Sequence, residues 1–437
     1  MSALSEVRDQ RSEVSDRFSG NTRQVAKKSL QNRTSKIETQ KLNVALLTGG
    51  DDRPYVLGLV SALTSNGVTV DVIGSDDLEL PELLDNSSVN FLNLRGDQSS
   101  DANLVWKIVR VLRYYWRLLS YTATARARVF HILWNNKFEF LDRTLLMLYY
   151  KLLGKRIVLT AHNVNMRKRD DTDTLLNRWS LRTQYQLSDN IFVHADKMKA
   201  ELVTEFHLGE DKVRVIPFGI NNTVPNTNLS AADAKRSLRI SGNDKTILCY
   251  GQIAPYKGVE YLVTAFCEIL KRDSSYRLII AGKPKWSEVY WTQIERLIED
   301  LEVGDRIIRR IEHVPDEETE LYFKAADVLV LSYTEVFQSG VIFLGYSFGL
   351  PAIVADVGSL KEEIIEGETG FVFKPQDSFD LASKIEKYFK SELFHDLKNR
   401  RTQIKDYANE RYSWSKVTAI TIPVYTRLLT STAANAT

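Results

Sequence analysis

From Leu42 onward the chain alternates short apolar runs with amphipathic stretches. Runs of strand length stand at 42–48, 68–73, 89–94, 129–134, 156–160, 190–194 and 213–216. Helix-period patterns lie between them, for example at 54–66 and 195–206. Such alternation predicts βαβ units and a parallel sheet. A stretch rich in Pro, Asn and Gly follows, from Pro217 to Asn228, and reads as a connection between domains. A second series then begins. Its strands are expected at 246–250, 276–281, 306–311, 328–331, 352–355 and 370–373, with helices at 259–272, 287–301 and 340–349. A last helical segment runs from about 380 to 429.

The predicted class is therefore α/β, with two doubly wound domains facing each other across a cleft. The expected divisions are a disordered polar tail over 1–39, a first domain over 40–220 and a linker over 221–235. A second domain follows over 236–405, and a helix over 406–430 returns to the first domain. Small-molecule sites favour clefts of this kind.

Composition narrows the function classes. The chain has 437 residues, 43% hydrophobic, with a net charge of +2, so a nucleic-acid partner is not expected. Cys249 and Cys267 sit in apolar surroundings without metal-ligand spacing and read as buried thiols in a reducing compartment. Neither a signal peptide nor a membrane-spanning run is apparent, so a cytoplasmic protein is expected.

The most informative stretch runs from Ala325 to Thr369. A buried strand leads into a loop carrying Glu335, then a helix opened by Ser339-Gly340, then a second strand entered through Gly349-Leu350-Pro351. A helix N-terminus at the carboxyl edge of a parallel sheet favours phosphate, because its amides are free and its dipole is positive. The amides of Gln338, Ser339 and Gly340 can cradle a diphosphate, and Glu335 can accept hydrogen bonds from sugar hydroxyls. Upstream, Gly251 lets the backbone turn closely after a strand, and Lys257 stands at the start of the next helix.

Taken in order, Gly251, Lys257-Gly258, Ala326-Asp327-Val328, Glu335, Gly340, Gly349-Leu350-Pro351, Gly358, Glu363, Gly367 and Gly370-Phe371 form a pattern. It resembles the donor domain of retaining glycosyltransferases of the GT-B fold, family 4. The resemblance spans about 42–429. It implies two Rossmann-like domains, the second holding a nucleotide-sugar donor and the first a glycan or lipid-linked acceptor. It implies no cofactor and no metal. Two positions depart from the family pattern. Gln252 stands where an Arg is common, and an apolar residue, Phe343 or Leu344, stands where a second carboxylate usually holds the ribose. These departures also suit a nucleotide-sugar-binding subunit without turnover. A phosphorylase or epimerase of the same fold, and a membrane scaffold with a vestigial cleft, are further alternatives.

In the first half, Gly49-Gly50-Asp51-Asp52 connects the first strand to its helix, and the resemblance puts Gly50 at the donor diphosphate. Asp171 and Asp173 have the spacing of a metal motif but read as solvated loop. His162 ends a buried strand and is expected to project into the cleft and orient sugar hydroxyls. His194 and His131 read as structural. Between Ala102 and Phe138 stand Lys107, Arg110, Arg113, Arg117, Arg126, Arg128 and Lys137, with no acid. Lys107, Arg110, Arg113 and Arg117 share one helical face, opposite Leu104, Ile108, Leu112, Tyr115, Trp116 and Leu119. A basic, aromatic amphipathic helix can lie on an anionic membrane surface or meet an anionic acceptor. Alternatively, it packs on the sheet with its basic face solvated.

Overall fold

The computed structural model describes residues 42–434, apart from 50–51, 99–102, 137, 170–171, 222 and 286–287. The expected tail over 1–39 and the donor residue Gly50 lie outside the described residues, as does Asp171. Two all-parallel sheets organise the chain. The first has seven strands in the order β3-β2-β1-β4-β5-β6-β7, the second six in the order β10-β9-β8-β11-β12-β13. In each order the sequence reverses at one point, β1/β4 and β8/β11. Such a switch point opens a crevice at the carboxyl edge where ligands bind.

In the first sheet β1 is Asn43–Leu47, β2 Thr69–Gly74, β3 Val89–Asn93, β4 Val129–Ile132, β5 Arg156–Thr160, β6 Asn190–Val193 and β7 Val213–Val215. In the second, β8 is Lys245–Tyr250, β9 Tyr276–Ala281, β10 Ile307–Arg310, β11 Val328–Leu331, β12 Ala352–Ala355 and β13 Gly370–Phe373. Every strand overlaps the run that predicted it. The reason is burial on both faces: β4, β6, β11 and β12 are buried at every position, so each reads as an unbroken apolar run.

Seven helices position the cleft and its surroundings: α1 Arg53–Ser65, α2 Leu104–Thr124, α3 Leu175–Leu187, α4 Val259–Leu270, α5 Gly340–Ser347, α6 Leu397–Tyr412 and α7 Trp414–Ala434. The last helical segment consists of separate helices, and the helix expected over 406–430 is divided at Ser413 between α6 and α7. α6 packs on α5 in the second domain, the chain turns at Ser413, and α7 packs on α1 of the first domain. Beside this crossing runs the other connection, after β7. The two are hydrogen-bonded: Ile220 N donates to Tyr412 O at 2.9 Å, and Trp414 Nε1 donates to Ile220 O at 3.0 Å.

The basic helix α2 is only partly applied to its domain. Tyr114, Leu118 and Thr122 are its buried residues. Its remaining apolar side faces outward, with Trp106 66%, Leu112 65% and Trp116 72% exposed. Packing on the sheet therefore does not account for that side. The basic residues also differ from the expected solvated row. Arg113 is exposed, but Lys107, Arg110 and Arg117 are half-buried, and Arg110 Nη1 donates to Asp97 O at 2.5 Å. No helix among the described residues is long and apolar enough to cross a membrane.

Candidate active site

A cavity of about 410 Å³ opens between the two sheets. Its first-domain wall includes Asp52, Pro54, Tyr55, Asn163, Met166 and Trp414. Opposite stand Gln252, Tyr256, Lys257, Lys285, Gln338, Ser339, Gly340 and Leu344.

The second-domain wall is built by glycines and cations. Gly251 has φ +103° and lies so close to Gly282 that a Cβ on Gly282 would fall 1.9 Å from Gly251 O. This closeness pins the β8 and β9 exits together. Gly258, at φ +59°, starts α4, and a Cβ there would meet Ser332 O at 2.4 Å. Lys257 is thereby trapped: it is buried, its Nζ donates to Tyr333 OH, and it lies 4.1 Å from the Tyr333 ring centroid. Lys285, in the loop after β9, is a second cation that sequence reasoning missed. Its Nζ and that of Lys257 each lie 5.7 Å from the Tyr256 ring centroid. The run Gly282-Lys283-Pro284-Lys285 was the available signal. Facing them, α5 begins at Gly340 without a side-chain cap from Ser339, whose Oγ instead pairs with Tyr333 OH at 3.0 Å. The first amides of α5 stay available for an anion, and the helix dipole adds to the attraction.

Behind this wall lies a carboxylate. Glu363 is buried, which raises its pKa, and it accepts from Gln338 Nε2 at 3.1 Å and from Tyr412 OH. It fixes Gln338 at the cavity. Phe343 and Leu344 lie differently with respect to the cavity. Phe343 is buried, stacked on Phe218 at 5.1 Å and edge-on to Tyr412 at 4.8 Å. Leu344 lines the cavity, whereas Phe343 does not. Glu335 is exposed, with Tyr333 and Val336 rather than Glu335 itself on the wall. In this arrangement Lys257, Gln338, Ser339 and Gly340 are brought together, and Glu335 is not.

The first-domain wall is largely aromatic and carries the carboxylate of Asp52. Asp52 caps α1 by accepting from Tyr55 N at 3.0 Å, which sets Tyr55 at the centre of a ring cluster. Trp414, His162 and Trp134 lie 5.0, 4.8 and 5.5 Å from it, all edge-on. Trp414 wedges between Gly58 and Gly219, where a Cβ on either would collide with its indole. Neither Tyr55 nor Trp414 was foreseen; a glycine inside α1 was the one trace of that wedge.

His162 does not line the cavity, which corrects its expected projection into the cleft. Its ring stacks on Trp134 at 4.2 Å behind Tyr55, and its Nδ1 faces His194 Nε2 at 3.1 Å. The reason is the crowding of rings at the β5 exit: Asn163, the next residue, takes the place on the wall. Burial pushes the imidazole pKa values down, to about 3 for His131 and about 4 for His194, and lowers His162 well below the usual value. All three are neutral near pH 7. His131 is packed between Tyr425 OH at 2.6 Å and Thr160 Oγ1 at 2.7 Å. Asp173 is no solvated loop acid: it accepts from Asn165, Asn177 and Arg178. Among the described residues no cluster of His, Cys, Asp and Glu could hold a metal.

This geometry has relatives. Residues 54–223 match the family model "Glycosyltransferase Family 4" and residues 230–411 the model "Glycosyl transferases group 1". Between them the matches run through both domains, and the chain belongs to the family 4, group 1 type of glycosyltransferases. An uncharacterized glycosyltransferase of Methanocaldococcus jannaschii is 29% identical over 243 residues, 54% of this chain and 60% of that protein. A D-inositol 3-phosphate glycosyltransferase of Corynebacterium efficiens is 29% identical over 233 residues, 51% of this chain and 54% of that protein. The chain thus matches a little over half the length of these curated relatives. The fold is GT-B, shared with solved structures. Sucrose-phosphate synthase of Thermosynechococcus elongatus superposes with a TM-score of 0.72 at 20% identity, over 89% of this chain and 100% of that one. Anabaena HepE in complex with UDP-glucose gives 0.66 at 12% identity, over 90% of this chain and 100% of that one.

Proposed function

We propose that the protein transfers a sugar from a nucleotide diphosphate sugar to an acceptor hydroxyl, with retention, in the assembly of a polysaccharide or glycolipid. The observation that carries this reading is the set of Lys257, Lys285 and the free amides at Ser339-Gly340 on one wall of the interdomain cavity. That set matches the charge and size of a diphosphate leaving group. The names of the relatives agree with it: one acts on an inositol phosphate, and HepE was crystallised with UDP-glucose.

In this reading the diphosphate departs against the two ammonium groups and the α5 amides, whose charge and dipoles stabilise the developing negative charge. The acceptor oxygen attacks on the same face as the leaving group departs, and a phosphate oxygen takes its proton. No protein nucleophile, cofactor or metal is needed, because Lys257 and Lys285 supply the positive charge. Lys285 compensates for Gln252 at the place of the common Arg. Glu335 reaches the sugar hydroxyls when the domains close, and closure excludes the water that would hydrolyse the donor. His162 acts through Tyr55, holding its ring in place. With Leu344 in place of a carboxylate, the ribose lies against an apolar side chain.

The acceptor is lipid-linked, met at an anionic leaflet on the cytoplasmic side. The outward apolar side of α2 supports this, together with its neighbours. Tyr115 contacts Phe138 at 6.3 Å, and Phe140 stacks on Trp179 of α3 at 5.7 Å. Leu145, Leu152 and Leu175 are exposed as well. Exposed apolar area of this extent marks an interaction site, and the basic flank selects a negative surface. Replacing Arg113 and Arg117 with Glu is expected to release the protein from anionic vesicles in flotation. If the native protein never floats, the membrane reading is wrong.

A donor screen tests the main reading: purified protein with UDP-, GDP- and ADP-sugars, assayed for released nucleotide, with NMR of the product anomer. Inversion overturns retention. Leu344 also favours a second reading, a nucleotide-sugar-binding subunit. Binding without turnover across all donors and lipid acceptors would establish it.

A further inference from the structure

A second, smaller cavity lies beneath α2. Arg95, Gln98, Arg110, Tyr114, Asn136 and Phe138 line it, with Val111 and Tyr115. Arg95 and Gln98 follow β3, and Asn136 follows β4, so the pocket stands at the same carboxyl edge of the first sheet as the main cavity. Asn136 is two residues from Trp134, which stacks on His162 behind the cavity wall.

Two polar atoms here are shielded from solvent and have no hydrogen-bond partner among the described residues: Arg95 Nη1 and Asn136 Oδ1. Buried polar groups are nearly always partnered, and a shielded guanidinium nitrogen left alone is costly. The nearby carboxylate does not answer it. Asp142 accepts from Tyr115 OH at 2.8 Å and from Asn136 N at 2.6 Å. Arg110 is held over the same pocket by Asp97 O. An unfilled donor on a cation and an unfilled acceptor lining one pocket ask for a ligand that offers an anionic oxygen and a hydroxyl. Phosphate esters of polyols have that chemistry, and the planar fork of Arg pairs with two oxygens of a phosphate.

The mouth of the pocket adds one more constraint. Phe138 at its rim is exposed, and α2 presents Ile108, Leu112 and Trp116 to the outside. We propose that this pocket binds the phosphate headgroup of the acceptor, with Arg95 and Arg110 on the phosphate and Asn136 on a neighbouring hydroxyl, while the apolar part lies along α2. The proposal deepens the acceptor half of the function above and rests on it for the word acceptor alone.

The test separates the two. Binding of sn-glycerol 3-phosphate is titrated by tryptophan fluorescence and by NMR for the native protein and for Arg95→Gln, Arg110→Gln and Arg95→Lys. UDP affinity is the independent reading of the main cavity and of correct folding. The expected result is a tenfold or greater loss of glycerol phosphate affinity in both Gln variants, partial retention in Arg95→Lys, and retained UDP binding. Flotation on phosphatidylcholine vesicles with and without phosphatidic acid identifies the source. A preference for phosphatidic acid that Arg95→Gln abolishes assigns a lipid headgroup. Dependence on Arg95 with the soluble probe alone assigns a free phosphate ester. Equal glycerol phosphate affinity in native protein and both Gln variants overturns the pocket, whatever the donor screen shows. Conversely, Arg95-dependent phosphate binding without any sugar transfer leaves the pocket standing and removes the transferase reading.

Discussion

The two walls of the central cavity solve the same problem by opposite means. The second-domain wall is made of short loops locked by glycine contacts. It presents ammonium groups and bare amides, which suit a ligand whose charge is fixed. The first-domain wall is made of interlocked rings around Tyr55, backed by His162 and His194, whose imidazoles burial keeps neutral. It offers shape and few charges. A charged ligand half and a variable ligand half call for such unlike surfaces. Charge recognition tolerates little change in geometry, whereas an aromatic wall is retuned by one side chain.

The comparison breaks first at Trp414. Trp414→Ala removes the wedge between Gly58 and Gly219, and is expected to cost about 3 kcal/mol, the low end for losing a large aromatic. Chemical denaturation with urea measures it; a loss under about 1 kcal/mol would mean the ring wall does not depend on the returning helix. Next comes Lys257→Ala. It should weaken UDP binding by roughly 1.5–3 kcal/mol, the scale of a hydrogen bond to a charged group, with Lys285→Ala at the lower end of that range. Calorimetry with UDP is the measurement, and unchanged affinity in both variants would leave the wall without its cationic function.

The imidazoles give a smaller, pH-dependent effect. His131 and His194 have folded pKa values below the unfolded value near 6.5. Stability is therefore full above that value and falls as the pH drops, because only the unfolded chain takes up protons. Between the plateau above pH 7.5 and pH 5 the loss is about 2 kcal/mol for each such group. Asp273, with its pKa lowered to about 2 by Lys245, contributes its own loss only at more acid pH. Melting curves at pH 7.5, 6.5 and 5 read this, and His131→Gln should flatten the profile. A flat profile in the native protein would mean the imidazoles are not shielded. The smallest effect sharpens the donor side: Leu344→Glu should strengthen UDP binding over deoxy-UDP by about 1 kcal/mol, the scale of one hydrogen bond. No change in that ratio would place the ribose elsewhere.

Much of the architecture was legible in the order of residues alone. Strands buried on both faces write themselves as apolar runs, so β5, β9, β11, β12 and β13 fall where the pattern placed them. Lys257, Ser339 and Gly340 were legible because each sits in a local motif whose backbone geometry dictates its residues. Tyr55, Trp414 and Lys285 were not, because they meet only through packing between distant segments. His162 shows the same limit from the other side. The end of a strand gives a direction, but crowding by Trp134 and Tyr55 decides whether the ring reaches the cavity. Periodicity also marked the apolar stripe of α2 without saying what covers it, since a stripe looks alike whether a sheet or a membrane lies against it.

The paired crossings at Ile220 and Trp414 have a mechanical meaning. Two bodies whose chain connections cross side by side can rotate about that crossing, while sliding past each other would tear the hydrogen bonds between the connections. The cavity can thus change its gape and hold its register. Because the indole of Trp414 sits both at the crossing and on the cavity wall, whatever presses on it acts at the pivot, where a small displacement becomes a large change in angle.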